Sequence, residues 1–437
     1  VQVIPRRATP SGTAPLSLLQ QRWWHLCTAY DGDASPIVLI ADRITAPLDV
    51  PAFTAAVGAL ADRHDALRTT FAVGPDGPRQ VIASPGGLVT ELLDVSGEAD
   101  PPARARELVA ELARALLDLA GGTLVRSRLI RLGPADHVWC LAVHHILADG
   151  ESTMILQREA VALYRGETLP EPFIGYADFA TWQCADTTGD EDLAWWADRL
   201  RGVPPLELPA DLPRPPAKTL RGGQIDVHVA APVADALDRF ARQRRATPYM
   251  VLVTALLVVL ARRSGQTDLC VGMPVSGRLL EETERTVGLF ANTIALRVDL
   301  SGEPDLGELL GRVRAATIDG LARQSVPFGQ VVAAVDPDAD RSRTPVFQVT
   351  AALHTHTAGG AVDPHWRPFA QAAPQILHDL GIDAWREPDG LELTLRYDTA
   401  LFTADTAAAM ADEVVALLRA MPDDAGLPVF AVAARHG

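Results

Sequence analysis

The chain of 437 residues carries 39 Lys and Arg against 55 Asp and Glu, a formal net charge of -16 at pH 7, with 48% hydrophobic and 22% charged residues. That balance excludes a nucleic-acid binder, whose affinity rests on phosphate neutralisation by Lys and Arg, and a disordered chain, which lacks the apolar content for a core. The length exceeds the ~250 to 300 residues at which single cores stop growing, which points to two or three units, two similar lobes being the simplest outcome, and the longest apolar run, Tyr249 to Ala261, falls short of the ~20 residues that cross a bilayer and reads as a buried helix.

Along the chain, Leu16 to Leu26 sets Arg22 beside Trp23 and Trp24. A cation-π or recognition feature is one reading, and a packed first element with Arg22 held by a carboxylate is the other. A strand follows near Ile37 to Ile40, then a helix from Val50 to His64 with Phe53, Val57, Leu60 and Ala61 at helical spacing. Arg63 to Phe71 brings Arg63, His64 and Arg68 together, either to line a site or as cations drawn to a helix C-terminus. A helix from Pro102 to Ala120 precedes two strand-like runs, Val125 to Arg131 and His137 to Val143, joined as an antiparallel hairpin.

The second run ends in Val-His-His-Ile-Leu-Ala-Asp-Gly-Glu-Ser, residues 143–152. Ser152 is the expected N-cap of a helix that Gly166 closes. Tyr176 to Arg201 reads as helical, and six prolines between Pro204 and Pro216 mark a linker. The second half resumes with strands at Gln224 to Val229, Asp268 to Val275, Thr293 to Val298, Val346 to Leu353, Gly381 to Trp385 and Leu391 to Tyr397. Helices are expected at Pro232 to Arg244, Pro248 to Ser264, Leu306 to Gln324 and Ala404 to Ala420.

A neutral imidazole accepts a proton at physiological pH, so His144 and His145 are candidate bases. Consecutive side chains at a strand end face opposite ways and cannot share one role. Asp149 either holds a ring tautomer or pairs with an arginine, and Gly150 allows close backbone approach to a ligand. The bland alternative is two satisfied histidines before a helix cap. No three-ligand metal set appears, His354 and His356 lying in another element, and no G-x-S-x-G elbow supplies a nucleophile. The four cysteines, Cys27, Cys140, Cys184 and Cys270, are far apart and read as reduced.

Seven stretches in order make the sequence resemble the condensation domains of nonribosomal peptide synthetases, within the chloramphenicol-acetyltransferase-like superfamily. They are S-x-x-Q-x-R-x-W-x-L at 17–26, R-H-x-x-L-R-T-x-F at 63–71, H-H-x-x-x-D-G-x-S at 144–152, Y-x-D-F-A-x-W at 176–182, V-G-x-F-x-N-T-x-x-x-R at 287–297, Q-x-x-P-F at 324–328 and D-x-S-R-x-P at 340–345.

The resemblance implies an α+β fold, a pseudodimer of two acetyltransferase-like α/β two-layer sandwich lobes in a V shape with a central tunnel. Residues 1–202 would form the first lobe, 203–223 the linker and 224–437 the second lobe. By carry-over His145 is the catalytic histidine, His144 supports its loop, Asp149 bridges to Arg297 in the other lobe, and the Gly150 N-H donates to the developing oxyanion. Arg22, Arg68 and Asn292 support the site, and Ser152 and His354 line the tunnel. The implied reaction joins a carrier-tethered acyl or aminoacyl thioester to an amine or hydroxyl, His145 acting as general base or by positioning. No cofactor is held permanently, the phosphopantetheine arm of a carrier protein being substrate, and no metal is used.

Partners would be peptidyl or acyl carrier proteins and a small-molecule or carrier-bound acceptor. A monomer without membrane contact is expected, and a cytoplasmic location because no basic, apolar leader opens the chain. The departures Asp65, Ser325 and Gly329 touch substrate or partner details. His144 at the first motif position argues against the heterocyclising branch, and an intact His145 against a recruiting, non-catalytic docking branch. A stand-alone CoA-dependent acyltransferase and an epimerisation domain are the enzyme rivals.

Overall fold

The computed structural model describes residues 3–9, 11–29, 36–75, 77–114, 119, 122–185, 190–336, 340–354, 363–369 and 375–436. Two compact units emerge, one of Val1–Thr188 with Ser276–Ala291 and Gly359–Ala373, the other of Gly189–Val275, Asn292–Ala358 and Pro374–Gly437. Both mix helices and open sheets, as an α+β fold requires.

In the first unit a five-stranded sheet runs in the order Trp366–Pro368, Ile37–Ile44, Asp136–His144, Val125–Gly133, Thr90–Asp94. Its pairs are antiparallel except the last. The central strand Asp136–His144 is buried from His137 onward, and its side chains alternate between two cores as the period of two dictates. Val138, Cys140 and Ala142 pack with the helix Pro101–Ala113 through Ala105, Leu108, Val109 and Leu112. Trp139, Leu141 and Val143 enter the other core with Phe53, Val57 and Leu60 of the helix Val50–Arg63 and Leu156 of the helix Gly150–Tyr164. A separate antiparallel sheet, Gly12–Pro15, Gly77–Ile82 and Thr69–Gly74, lay outside the expected elements.

The second unit holds a six-stranded sheet in the order Asn292–Asp299, Asp268–Val275, Val349–His354, Leu380–Glu387, Gly390–Asp398, Gly222–Ala230. The helix Pro248–Ser264 is buried continuously from Tyr249 to Ala261. Thr247 caps its start and Gly265, at φ 73°, ends it in the left-handed conformation that glycine adopts without strain. No single helix among the described residues is long and apolar enough to cross a membrane.

Several expectations change here. Asp149, not Ser152, is the N-cap of Gly150–Tyr164. The stretch Tyr176 to Arg201 holds two helices, Tyr176–Ala185 and Asp190–Arg199, and the second belongs to the second unit. The end of the helix expected to reach Ala120 lies outside the described residues, as does His356. The division also differs from a cut at 202, since residues 276–291 and 359–373 from the second half are built into the first unit. The proline-rich 203–223 segment is laid down on the second unit. The Leu206 N-H donates to Gln348 Oε1 at 2.6 Å, and Arg214 and Lys218 both pair with the buried Asp379, at 2.5 and 3.3 Å.

Candidate functional site

The buried strand Asp136–His144 delivers the motif into a turn pinned by backbone bonds. The His144 N-H donates to Leu124 O at 2.9 Å, the His145 N-H to Pro36 O at 2.8 Å and the Leu147 N-H to His144 O at 2.9 Å. The His144 ring is buried and accepts the Ile146 N-H at Nδ1, 3.1 Å. Its proton therefore sits on Nε2, which lies 3.8 Å from Cys27 Sγ. Burial, and secondarily His145, drives its pKa down to about 3. A ring so enclosed supports the turn and does not exchange protons near neutrality.

His145 is half-buried and stacked on Trp23, with ring centroids 4.7 Å apart and planes inclined by 24°. Burial lowers its pKa, while the His145 carbonyl, the Asp149 charge and the Ala148 carbonyl pull the other way. The ring is neutral at pH 7. Its Nδ1 is enclosed and meets no partner at hydrogen-bonding geometry among the described residues.

Asp149 holds the loop shut. Its Oδ1 accepts from Ser152 N at 2.8 Å, Ser152 Oγ at 2.7 Å and Arg278 Nη2 at 3.1 Å. Its Oδ2 accepts from Phe290 N at 2.9 Å and Ala291 N at 3.2 Å. Arg278 in turn donates from Nη1 to the carbonyls of Thr283 and Thr286, pairs with Glu151 at 2.8 Å and lies 4.2 Å over the Phe290 ring. Ser152 Oγ also bridges both backbone groups of Gly288, its single hydrogen shared between Asp149 and the Gly288 carbonyl. Close approach explains two glycines: a Cβ on Gly277 would fall 1.9 Å from Phe290 O, and one on Gly288 1.9 Å from the Tyr176 ring. Tyr176 closes the cluster, its hydroxyl donating to Leu289 O at 2.6 Å and accepting from Ser17 Oγ at 2.7 Å.

Some carried-over roles are corrected. The arginine bridge to Asp149 that the resemblance gave to Arg297 is made by Arg278, and Arg297 pairs with Asp268 at 2.9 and 2.6 Å and donates to the carbonyls of Arg199 and Arg201. The register accounts for this, because Arg297 faces Cys270 and Asp268 is the diagonal neighbour on the same face. Ser152 is fully buried and its hydroxyl is committed to Asp149 and Gly288. Asn292 ties the 324–328 loop, donating to Gln324 O and Val326 O and accepting the Phe328 N-H. Arg68 binds the Ala83 carbonyl. Arg22 is half-buried on the helix Leu18–Ala29, and burial lowers its guanidinium pKa to about 10. His354 is half-buried, 3.0 Å from Asp383 and stacked on Trp385. Gly150 is exposed, with nothing within 4 Å of an added Cβ, so neither packing nor φ demands glycine there. Arg278, absent from the sequence reading, is signalled only by Ser276-Gly277-Arg278 in a stretch without periodicity. No group of three or more metal-ligating side chains occurs among the described residues.

Two predictions follow from these contacts. A histidine whose folded pKa lies below its unfolded ~6.5 makes the folded state refuse a proton that the unfolded chain takes. Stability is therefore whole above about pH 6.5 and declines toward about 3, the folded value for His144. The slope is about 1.4 kcal/mol per pH unit for one proton. Urea denaturation between pH 7 and 4.5 is expected to lose that slope in His144→Asn, whose Oδ1 still accepts the Ile146 N-H, and identical slopes would remove the role. Arg297→Ala is expected to cost only about 1 to 2 kcal/mol, the pair being partly exposed. Amide protection at Phe290 and Ala291 should survive it, and its loss in hydrogen exchange would restore a link to Asp149.

The sequence profile described as "Condensation domain" matches residues 10–429. The chain is 36% identical over 447 residues to malpibaldin synthetase of Mortierella alpina, covering 98% of this chain and 8% of that protein. It is 34% identical over 444 residues to the phosphinothricin tripeptide synthetase PhsB of Streptomyces viridochromogenes, covering 97% of this chain and 37% of that protein. It thus spans well under half the length of each of these relatives. The X-domain from teicoplanin biosynthesis superposes with a TM-score of 0.87 at 26% identity over 98% of both chains. The X-domain in complex with OxyB superposes with a TM-score of 0.85 at 27% identity over 99% of both.

Proposed function

The chain belongs to the condensation-domain family, and we propose that it joins a carrier-tethered acyl or aminoacyl thioester to an amine or hydroxyl acceptor. Condensation domains are transferases of this general kind. The observation that carries the reading is the unequal pair of histidines. His144 is locked neutral inside the turn, while His145 is a neutral ring stacked on Trp23, with an enclosed Nδ1 that has no partner at hydrogen-bonding geometry among the described residues, and its Nε2 is the nitrogen we assign to the acceptor.

The acceptor nitrogen or oxygen attacks the thioester carbonyl as its proton moves to, or is oriented by, His145 Nε2. The new C-N or C-O bond forms, the C-S bond breaks, and the proton passes on to the departing pantetheine thiolate, which returns the ring to neutrality. The Gly150 N-H, first in its helix and without an intrahelical acceptor, is the donor assigned to the oxyanion. Neither Ser152, whose hydroxyl is used up, nor Cys27, whose thiol burial pushes up to about 12, is suited to forming an acyl-enzyme. Holding both reactants in place is worth up to ~7 to 11 kcal/mol, so positioning supplies much of the rate.

Carrier proteins bearing pantetheine-linked aminoacyl groups, offered amine and alcohol acceptors together, test this by mass spectrometry of the products. An amide or ester that depends on the chain is expected; unreacted carrier across the panel would overturn it. A second reading, a domain that recruits another enzyme, draws on the likeness to the X-domain, one structure of which contains OxyB. Partner binding without product formation would favour that reading.

A further inference from the structure

In histidine-dependent acyl transfer a carboxylate commonly fixes the imidazole plane. Here Asp149 has both oxygens taken up by five donors among the described residues and binds neither ring nitrogen of His145. The ring's Nδ1 has no partner at bonding geometry there either. What holds the His145 ring face is Trp23, stacked at 4.7 Å and 24°. Trp23 fills an unspecified position of the first motif, so the resemblance gives it no role.

We propose that Trp23 is a positioning residue for His145, its indole face setting the ring plane and stabilising the imidazolium formed when the ring takes the acceptor's proton. This rests on the reading of His145 as the proton acceptor. A cation over an indole face is attracted by the ring quadrupole, most strongly where water is excluded. The other titratable groups acting on the ring are Asp149, whose charge favours the imidazolium, and His144, which stays neutral. The indole acts alongside the Asp149 charge without requiring a bond from it.

Three variants separate the possibilities. Trp23→Leu keeps an apolar wall but removes the π face, Trp23→Phe restores a smaller one, and His145→Ala identifies the His145 signal in a histidine-labelled NMR titration. In Trp23→Leu the His145 midpoint is expected to fall by about half a pH unit, with most of it recovered in Trp23→Phe. With the thioester and acceptor that the unaltered chain turns over, kcat should drop about tenfold in Trp23→Leu at unchanged KM, and the acid limb of the rate profile should move down with the midpoint. An unmoved midpoint with unchanged kcat in Trp23→Leu, while His145→Ala is inactive, overturns the role of Trp23 alone. Full activity in His145→Ala overturns the reading beneath it.

Discussion

Arg278→Ala is expected to lower the unfolding free energy by about 3 to 5 kcal/mol, because it breaks a buried ion pair and leaves its carboxylate behind. Arg278 and Asp149 side chains are 4% and 2% exposed. Without the guanidinium, Asp149 keeps four donors but loses its countercharge, the Thr283 and Thr286 carbonyls lose their shared donor, and the Phe290 ring loses the cation above it. Asp149→Ala should cost at least as much, since it also removes the cap of Gly150–Tyr164 and strands the Phe290 and Ala291 N-H groups. Asp149→Asn is no conservative rescue, because an amide nitrogen placed at Oδ2 would face two N-H donors and one placed at Oδ1 would face three.

Urea denaturation measures the loss, and hydrogen exchange locates it at the Phe290 and Ala291 amides. A double-mutant cycle with Asp149→Ala should return a coupling well above the ~0.5 kcal/mol expected of independent sites. An Arg278→Ala midpoint equal to that of the unaltered chain would sink the view that residues 276–291 are fastened to the first unit through this pair.

That pair marks the limit of what the sequence made legible. The periodic elements were readable because each follows one rule. Phe53, Val57 and Leu60 keep helical spacing, and the run from Tyr249 to Ala261 is apolar enough to be buried on every side. The histidine motif was readable as a strand end, a turn and a helix start. Its cap was misplaced by three residues because Asp149 and Ser152 are both good caps and the polar first turn of the helix offers no apolar marker. The hairpin of Thr69–Gly74 and Gly77–Ile82 was obscured when Arg63 to Phe71 was read as one motif, although Gly74-Pro75-Asp76-Gly77 is a turn signal. Arg278 sits where no period exists, and nothing local in Ser276-Gly277-Arg278 says that it folds back onto Asp149. Arg297 drew that role by carry-over, while its diagonal neighbour Asp268 on the adjacent strand was the simpler physical partner.

His145→Ala is the variant for which stability and activity should separate most sharply. The imidazole Nδ1 has no partner at hydrogen-bonding geometry among the described residues, and removal of the ring loses one face-to-face contact with Trp23. The backbone bond from its N-H to Pro36 O is untouched, as is the network of Asp149, Ser152 and Arg278. The melting temperature should therefore stay within a few degrees of the unaltered chain. A general base contributes ~10² to 10⁴ in rate, so product from the thioester and acceptor should fall by that factor with KM little changed. His145→Gln sharpens the test, since an amide can orient an acceptor hydrogen but cannot carry its proton away. Activity rescued by glutamine to within about tenfold would make His145 a positioning group, whereas equal losses in the alanine and glutamine variants would make proton transfer its task. Full activity in both would remove His145 from the reaction and leave the held, neutral ring without a chemical role.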